Sequence, residues 1–258
     1  MAIVSQKFSG KKAVVTGGTH GMGMAIVRAL LENGAEVLLT GRNTQNLEEA
    51  QKALGPQVHV VRSDAASMED IRALRGIVTE KLGQVDFVFI NVGYSVLEPL
   101  EQVTEATYNT IFDINTKGAF FTVQQLAPLV RNGGSFTFTT SVANAMGYAG
   151  MSVYSGAKSA VRSFAKVFAA ELLPKGIRVN AVSPGFIHTP TGGVSEATAE
   201  QRIAFEQEGN EVTPMKRHGA AEEVAAAALF LAADATFTTG VELTVDGGLA
   251  GGIVPPRY

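Results

Sequence analysis

Cysteine is absent from the 258-residue chain, which excludes disulfides, thiol catalysis and zinc-thiolate sites. Histidine is nearly as scarce: four residues with no His-x-x-x-His pair give no basis for a protein-bound metal, and none is expected. Charged residues make up only 17% and the formal net charge is -3, so no strongly basic or acidic face is expected and nucleic acid is not an expected partner. Long apolar runs are missing too. The longest, Val224 to Ala233, is too short to cross a bilayer, and Met1 to Lys12 holds only Ala2-Ile3-Val4 as an apolar run, far short of a secretory signal. A soluble, cytoplasmic protein with no membrane partner is the expectation.

What is present is a hydrophobic fraction of 46% in a chain long enough to bury a full core, read as one domain spanning residues 1–258. Short β-branched runs alternate with helical patterns. Strands are expected at Lys12–Thr16, Glu36–Thr40, Val58–Arg62, Asp86–Ile90, Ser135–Thr140, Ile177–Ser183 and Val241–Val245. Between them come helices through Ala25–Leu30, Asn43–Leu54, Ser67–Leu82, a long one from about Thr104 to Val130, Ala157–Leu172 and Ala220–Ala233. The alternation predicts an α/β fold: a Rossmann-like, doubly wound parallel sheet of about seven strands with helices on both faces. Asn115, Lys117 and Gly118 interrupt the long helix, which marks it for a functional role. Residues 188–215 turn polar and glycine-rich and are read as a mobile lid over a substrate, with a helix from Glu200 to Glu208.

Gly17, Gly21 and Gly23 stand between the first strand and the first helix, with Thr19, His20 and Met22 among them. Glycine there permits a tight turn and lets a pyrophosphate approach the helix N-terminus, where free N–H groups and the macrodipole favour an anion. The spacing is Gly-x-x-x-Gly-x-Gly, and its strand-loop-helix context identifies it as a dinucleotide loop. At the end of the second strand stand Gly41 and Arg42 in place of a carboxylate. A carboxylate would repel a ribose 2'-phosphate and a guanidinium can pair with it, so NADP(H) is the expected cofactor.

Tyr154 and Lys158 lie four apart at the start of an apolar helix and share one face. A nearby ammonium favours the ionised phenol, so the pair suits acid-base work on a hydroxyl or carbonyl oxygen.

The glycine loop, Tyr-x-x-x-Lys and Ser141, thirteen residues before the tyrosine, together resemble the short-chain dehydrogenase/reductase family from about Lys11 to Gly248. The resemblance implies that Ser141 hydrogen-bonds the substrate oxygen, Tyr154 passes the proton, and Lys158 lowers the tyrosine's pKa while holding the nicotinamide ribose. Asn115 would anchor a water linking Lys158 to solvent. It also implies cofactor contacts from Asp64 and Ala65 near the adenine, from Asn91 and Gly93 after the fourth strand, and from Pro184, Gly185, Ile187 and Thr189 at the nicotinamide carboxamide. The family's Asn-Asn-Ala-Gly is here Ile90-Asn91-Val92-Gly93.

The chemistry expected is NADPH-dependent reduction of a small-molecule carbonyl. Val142, Asn144, Tyr148 and Phe186, with Ser141 and Tyr154, are the expected substrate contacts; Tyr94, Val96, Met146 and Met151 are further candidates. Their apolar character suits a hydrophobic or cyclic ketone, a quinone or a keto ester. Two alternatives stand beside this reading. Arg131 and Lys175 leave open a 3-oxoacyl-carrier-protein reductase, and an NADP(H)-sensing regulator would bind the cofactor without turnover. A homotetramer or homodimer is implied by the family, with residues 249–258 a candidate contact to a neighbour.

Overall fold

The computed structural model of the chain describes residues 6–190 and 198–254. Part of the expected lid, residues 191–197, and the end of the tail, residues 255–258, lie outside the described residues.

Seven strands form one parallel sheet. They are β1 (Lys12–Thr16), β2 (Glu36–Gly41), β3 (Val58–Arg62), β4 (Val85–Ile90), β5 (Val130–Thr139), β6 (Arg178–Pro184) and β7 (Glu242–Val245). Their order in space is β3-β2-β1-β4-β5-β6-β7. The order reverses between β1 and β4, and a crevice at the carboxyl ends of the strands is where such a sheet takes a ligand.

Helices cover both faces because alternate residues of each strand point to opposite sides. On one face Ala13 and Val15 of β1 and Val37 and Leu39 of β2 pack with α1 (Gly21–Glu32), α2 (Thr44–Leu54) and α8 (Ala221–Leu229). On the other, Val14 and Leu38 pack with α3 (Met68–Lys81), α5 (Gly118–Leu126) and α6 (Ser152–Leu172). Fully burying one such side chain is worth roughly 1.5–3 kcal/mol, so a register slip that exposed either set would be costly.

Two expectations are corrected. The helix expected over Thr104–Val130 is α4 (Glu105–Phe112), then a π turn at Asp113–Lys117, then α5, and it stops at a 3-10 turn, Ala127–Leu129, containing Pro128. β5 therefore begins at Val130 instead of Ser135. Its first residues accommodate a break in register against β4, where Val85 pairs with Val130 but Phe87 with Ser135. The helix of the expected lid, α7 (Ala199–Val212), is longer than Glu200–Glu208 because Thr198 and Gln201 form a reciprocal cap at its start, a feature typically worth about 1 kcal/mol.

Candidate active site

A cleft of about 650 Å³ lies at the carboxyl ends of the strands. Its lining comes from the loops that follow β1 to β6, from α6 and α7, and from Leu249. Gly17, Thr19, His20, Gly21 and Met22 form one wall, as their spacing predicts. Gly17 and Gly21 have φ of 65° and 54°, a region in which a side chain is strained. Gly23 does not line the cleft. It is buried behind the loop, where an added Cβ would stand 2.1 Å from the Gly17 carbonyl oxygen, so its task is to let α1 pack against the turn.

At one end the cleft meets Arg42, Asp64 and Ala65. Arg42 is exposed and has no ion-pair partner among the described residues. Asp64 holds its own turn, accepting a hydrogen bond from Ala66 N at 2.9 Å. Asn43 and Asn46 also face this end; sequence reading missed them, although Asn43 is an evident cap for α2.

The cleft floor is tied together by Asn91. Its Nδ2 donates to the Gly17 carbonyl at 3.2 Å and its Oδ1 accepts from Thr139 Oγ1 at 3.0 Å, so the ends of β1, β4 and β5 are held in one register. Gly93 lies close to the site, and a Cβ there would meet both Asn115 Oδ1 and Lys158 Nζ at 3.4 Å. Asn115 sits in the π turn. It donates from Nδ2 to the carbonyls of Tyr94 at 2.7 Å and Ile111 at 2.8 Å, and accepts from Tyr94 N at 3.2 Å. The awkward mid-helix residue thus takes over a carbonyl of the distorted turn and fastens the Tyr94 segment to it. It does not line the cleft.

Ser141, Tyr154 and Lys158 converge at the other end. Lys158 is 3% exposed, donates from Nζ to the Thr139 carbonyl at 2.8 Å, and sits 5.7 Å from the centre of the Tyr154 ring. Burial brings its ammonium down to about 8 from 10.5. Burial likewise pushes the Tyr154 phenol up to about 12, while a hydrogen bond with the Ser141 hydroxyl pulls the other way. Burial is thus the largest influence on the phenol, and the hydrogen bond of the Lys158 ammonium goes to the Thr139 carbonyl.

Pro184, Gly185, Ile187 and Thr189 line the cleft as expected. Thr189 faces the glycine loop, 3.3 Å from where a Cβ on Gly21 would be, and its Oγ1 is buried with no hydrogen-bond partner among the described residues.

Around the Ser141 end stand Tyr94, Val142, Met146, Tyr148, Met151 and Phe186. Tyr148, Phe186 and Phe205 form a cluster of rings with centroids 5.0 to 6.4 Å apart. Phe205 and Val212 of α7 belong to the segment expected as a lid, though neither was singled out, and Leu249 was not foreseen; their contact with the cleft depends on how α7 and the tail pack. Val96 does not line it, and neither does Asn144. Asn144 is turned away because its Nδ2 donates to Glu242 at 2.6 Å. The only Lys, Arg or His side chains lining the cleft among the described residues are His20, Arg42 and Lys158.

A family profile described as "Enoyl-(Acyl carrier protein) reductase" matches residues 17–250. The chain is 38% identical over 248 residues to "Oxidoreductase asL5" of Sarocladium schorii, covering 95% of this chain and 98% of that one. It is 33% identical over 254 residues to the "L-fucose dehydrogenase" of Oryctolagus cuniculus, covering 98% and 89%. A solved "short chain dehydrogenase/reductase family protein" superposes with a TM-score of 0.84 at 33% identity, covering 95% of this chain and 99% of that one.

Proposed function

The chain belongs to the short-chain dehydrogenase/reductase family of oxidoreductases, and from that premise we propose that it is an NADPH-dependent reductase of uncharged, apolar ketones. One observation carries the reading: Ser141, Tyr154 and Lys158 meet at one end of a cleft whose other end carries the glycine turn and Arg42.

The residues present fit the cofactor. Gly17 and Gly21 leave the turn open for a pyrophosphate, Arg42 is free for a 2'-phosphate, and the orphaned Thr189 Oγ1 offers a partner to a carboxamide. When bound, NADPH supplies the hydride. Tyr154 gives its proton to the substrate oxygen as negative charge develops there. Ser141 donates a hydrogen bond to the same oxygen, and the buried Lys158 supplies positive charge in a low-dielectric setting. These interactions strengthen toward the transition state, which is the condition for raising turnover. A phenol near pKa 12 still protonates an alkoxide readily, since the alkoxide is the stronger base.

Substrate class follows from the lining. The rings of Tyr94, Tyr148, Phe186 and Phe205 and Val142, Met146, Met151, Val212 and Leu249 surround the reacting end, with few groups to satisfy the several hydroxyls of a sugar such as the relative's L-fucose. A carrier-protein substrate is less favoured. Arg131 Nη1 is 3.0 Å from Asp86 Oδ2 at the N-terminal edge of the sheet, opposite the cleft, and Lys175 precedes β6 on the same side. A soluble, cytoplasmic homotetramer or homodimer completes the reading; no helix among the described residues is long and apolar enough to cross a membrane.

NADPH absorbance followed against ketones, quinones and diketones, with NADP+ reduction followed against L-fucose, tests the proposal. Consumption with apolar ketones or quinones supports it. Tight NADPH binding with nothing consumed supports a sensor instead.

A further inference from the structure

Glu242 stands on β7, the edge strand, yet its side chain is only 10% exposed. Its Oε1 accepts from Asn144 Nδ2 at 2.6 Å and from Thr140 Oγ1 at 2.6 Å, the single hydroxyl proton being shared with the Val182 carbonyl at 2.9 Å, and its Oε2 lies 3.0 Å from Nε of Arg162 on α6. A carboxylate is buried at a cost unless it is neutralised and hydrogen-bonded. Here both conditions are met, so its position is fixed from two sides.

What it grips matters more. Thr140 and Asn144 bracket Ser141, and Arg162 is one turn beyond Lys158 on the helix that also carries Tyr154. The short turn Val142–Asn144 is otherwise held mostly by its own neighbours: Ala143 N donates to Ser141 Oγ at 3.2 Å, Asn144 N to the Ser141 carbonyl at 3.0 Å, Ala145 N and Met146 N to the Val142 carbonyl at 2.9 and 3.1 Å, and, from α6, Ser159 Oγ to the Asn144 carbonyl at 3.3 Å. Asn144 even leaves its Oδ1 buried without a partner among the described residues in order to present Nδ2 to Glu242.

We propose that Glu242 is a positioning residue for the reaction: through Thr140 and Asn144 it holds the Ser141 turn to β7, and so fixes the serine hydroxyl against the tyrosine phenol. The role in turnover rests on the reading of Ser141 and Tyr154 given above; the clamp itself does not. Glu242 touches neither cleft nor substrate and acts only through Ser141.

The test compares E242L, E242Q and R162Q by steady-state kinetics and by crystal structures. E242L frees the Asn144 end of the turn, while Thr140 stays on the Val182 carbonyl through its N–H at 2.8 Å; kcat falls on the order of ten- to a hundredfold, and KM for NADPH stays within about twofold because the glycine turn and Arg42 are remote. E242Q keeps an acceptor oxygen for Thr140 and Asn144 and restores most of kcat. R162Q loses the same ion pair, and hence stability, but leaves the turn held, with kcat near that of the parent. A purely structural role would make E242L and R162Q equally active, and that result overturns the inference. If E242L does not fold, N144A carries the test: lowered kcat at unchanged KM for NADPH supports the clamp, and unchanged kcat overturns it. The crystal structures read the clamp independently of turnover. A Ser141 turn displaced in E242L or N144A supports it even if the parent reduces no carbonyl, whereas a turn in its parental position contradicts it.

Discussion

Lys158 lies beneath Tyr154 with its Nζ 5.7 Å from the ring centre, yet its hydrogen bond goes to the Thr139 carbonyl at 2.8 Å. The ammonium is therefore stationed beside the phenol and held by the sheet. Without cofactor, each group is shifted by burial in the direction that disfavours its own charge.

This arrangement predicts a pH signature of stability in the cofactor-free protein. Lys158 loses its proton near 8 when folded and 10.5 when unfolded. Between these values the unfolded chain binds the extra proton, so this group makes stability rise with pH and its contribution falls away as pH drops through 8. Tyr154 titrates near 12 folded against 10.0 unfolded, so its contribution is present below pH 10 and is lost from 10 to 12. Urea midpoints measured from pH 7 to 10 should show a rising component that K158M removes; an identical pH dependence in parent and variant would refute the burial account.

Arg42 is exposed at the adenosine end of the cleft, beside Asn43 and Asn46. R42D puts a carboxylate where a 2'-phosphate is expected and should lower the kcat/KM preference for NADPH over NADH by at least about tenfold, mostly through KM. An unchanged ratio assigns the choice to other groups.

Gly23 has no room for a methyl group, since its Cβ would sit 2.1 Å from the Gly17 oxygen. G23A should displace the turn, cost about 1–3 kcal/mol in denaturant melts, and weaken NADPH binding in fluorescence titrations. Parental NADPH affinity would show that the turn does not need this contact.

Gly209 plays the same part for α7. A Cβ would stand 2.6 Å from both His218 Cε1 and Phe186 Cδ1. Because Phe186 lines the cleft, G209A should raise KM for bulky ketones while leaving that for NADPH within about twofold. Equal KM values for small and bulky ketones in both proteins would separate α7 from substrate selection.

The sheet and much of the site were legible in the sequence because they rest on local signals. Alternating apolar runs marked every strand, glycines at 17 and 21 marked the turn, and a spacing of four put Tyr154 and Lys158 on one face. What escaped depends on contacts between distant segments. Asn144 was expected near the substrate, but Glu242, almost a hundred residues later, turns it away. Phe205 and Val212 reach the cleft through the packing of α7. The π turn at Asp113–Lys117 was visible as a weakness in a long helix, but not as a hydrogen-bonded structure built around Asn115. The burial of the Tyr154 phenol likewise required the fold, since desolvation has no signature in residue order.

The central claim is that Tyr154 hands the proton to a carbonyl oxygen, and Y154F tests it most directly. With an apolar ketone that the parent reduces, NADPH consumption by the variant should fall by about a thousandfold while NADPH affinity stays near the parental value. Turnover within about tenfold of the parent would contradict the account.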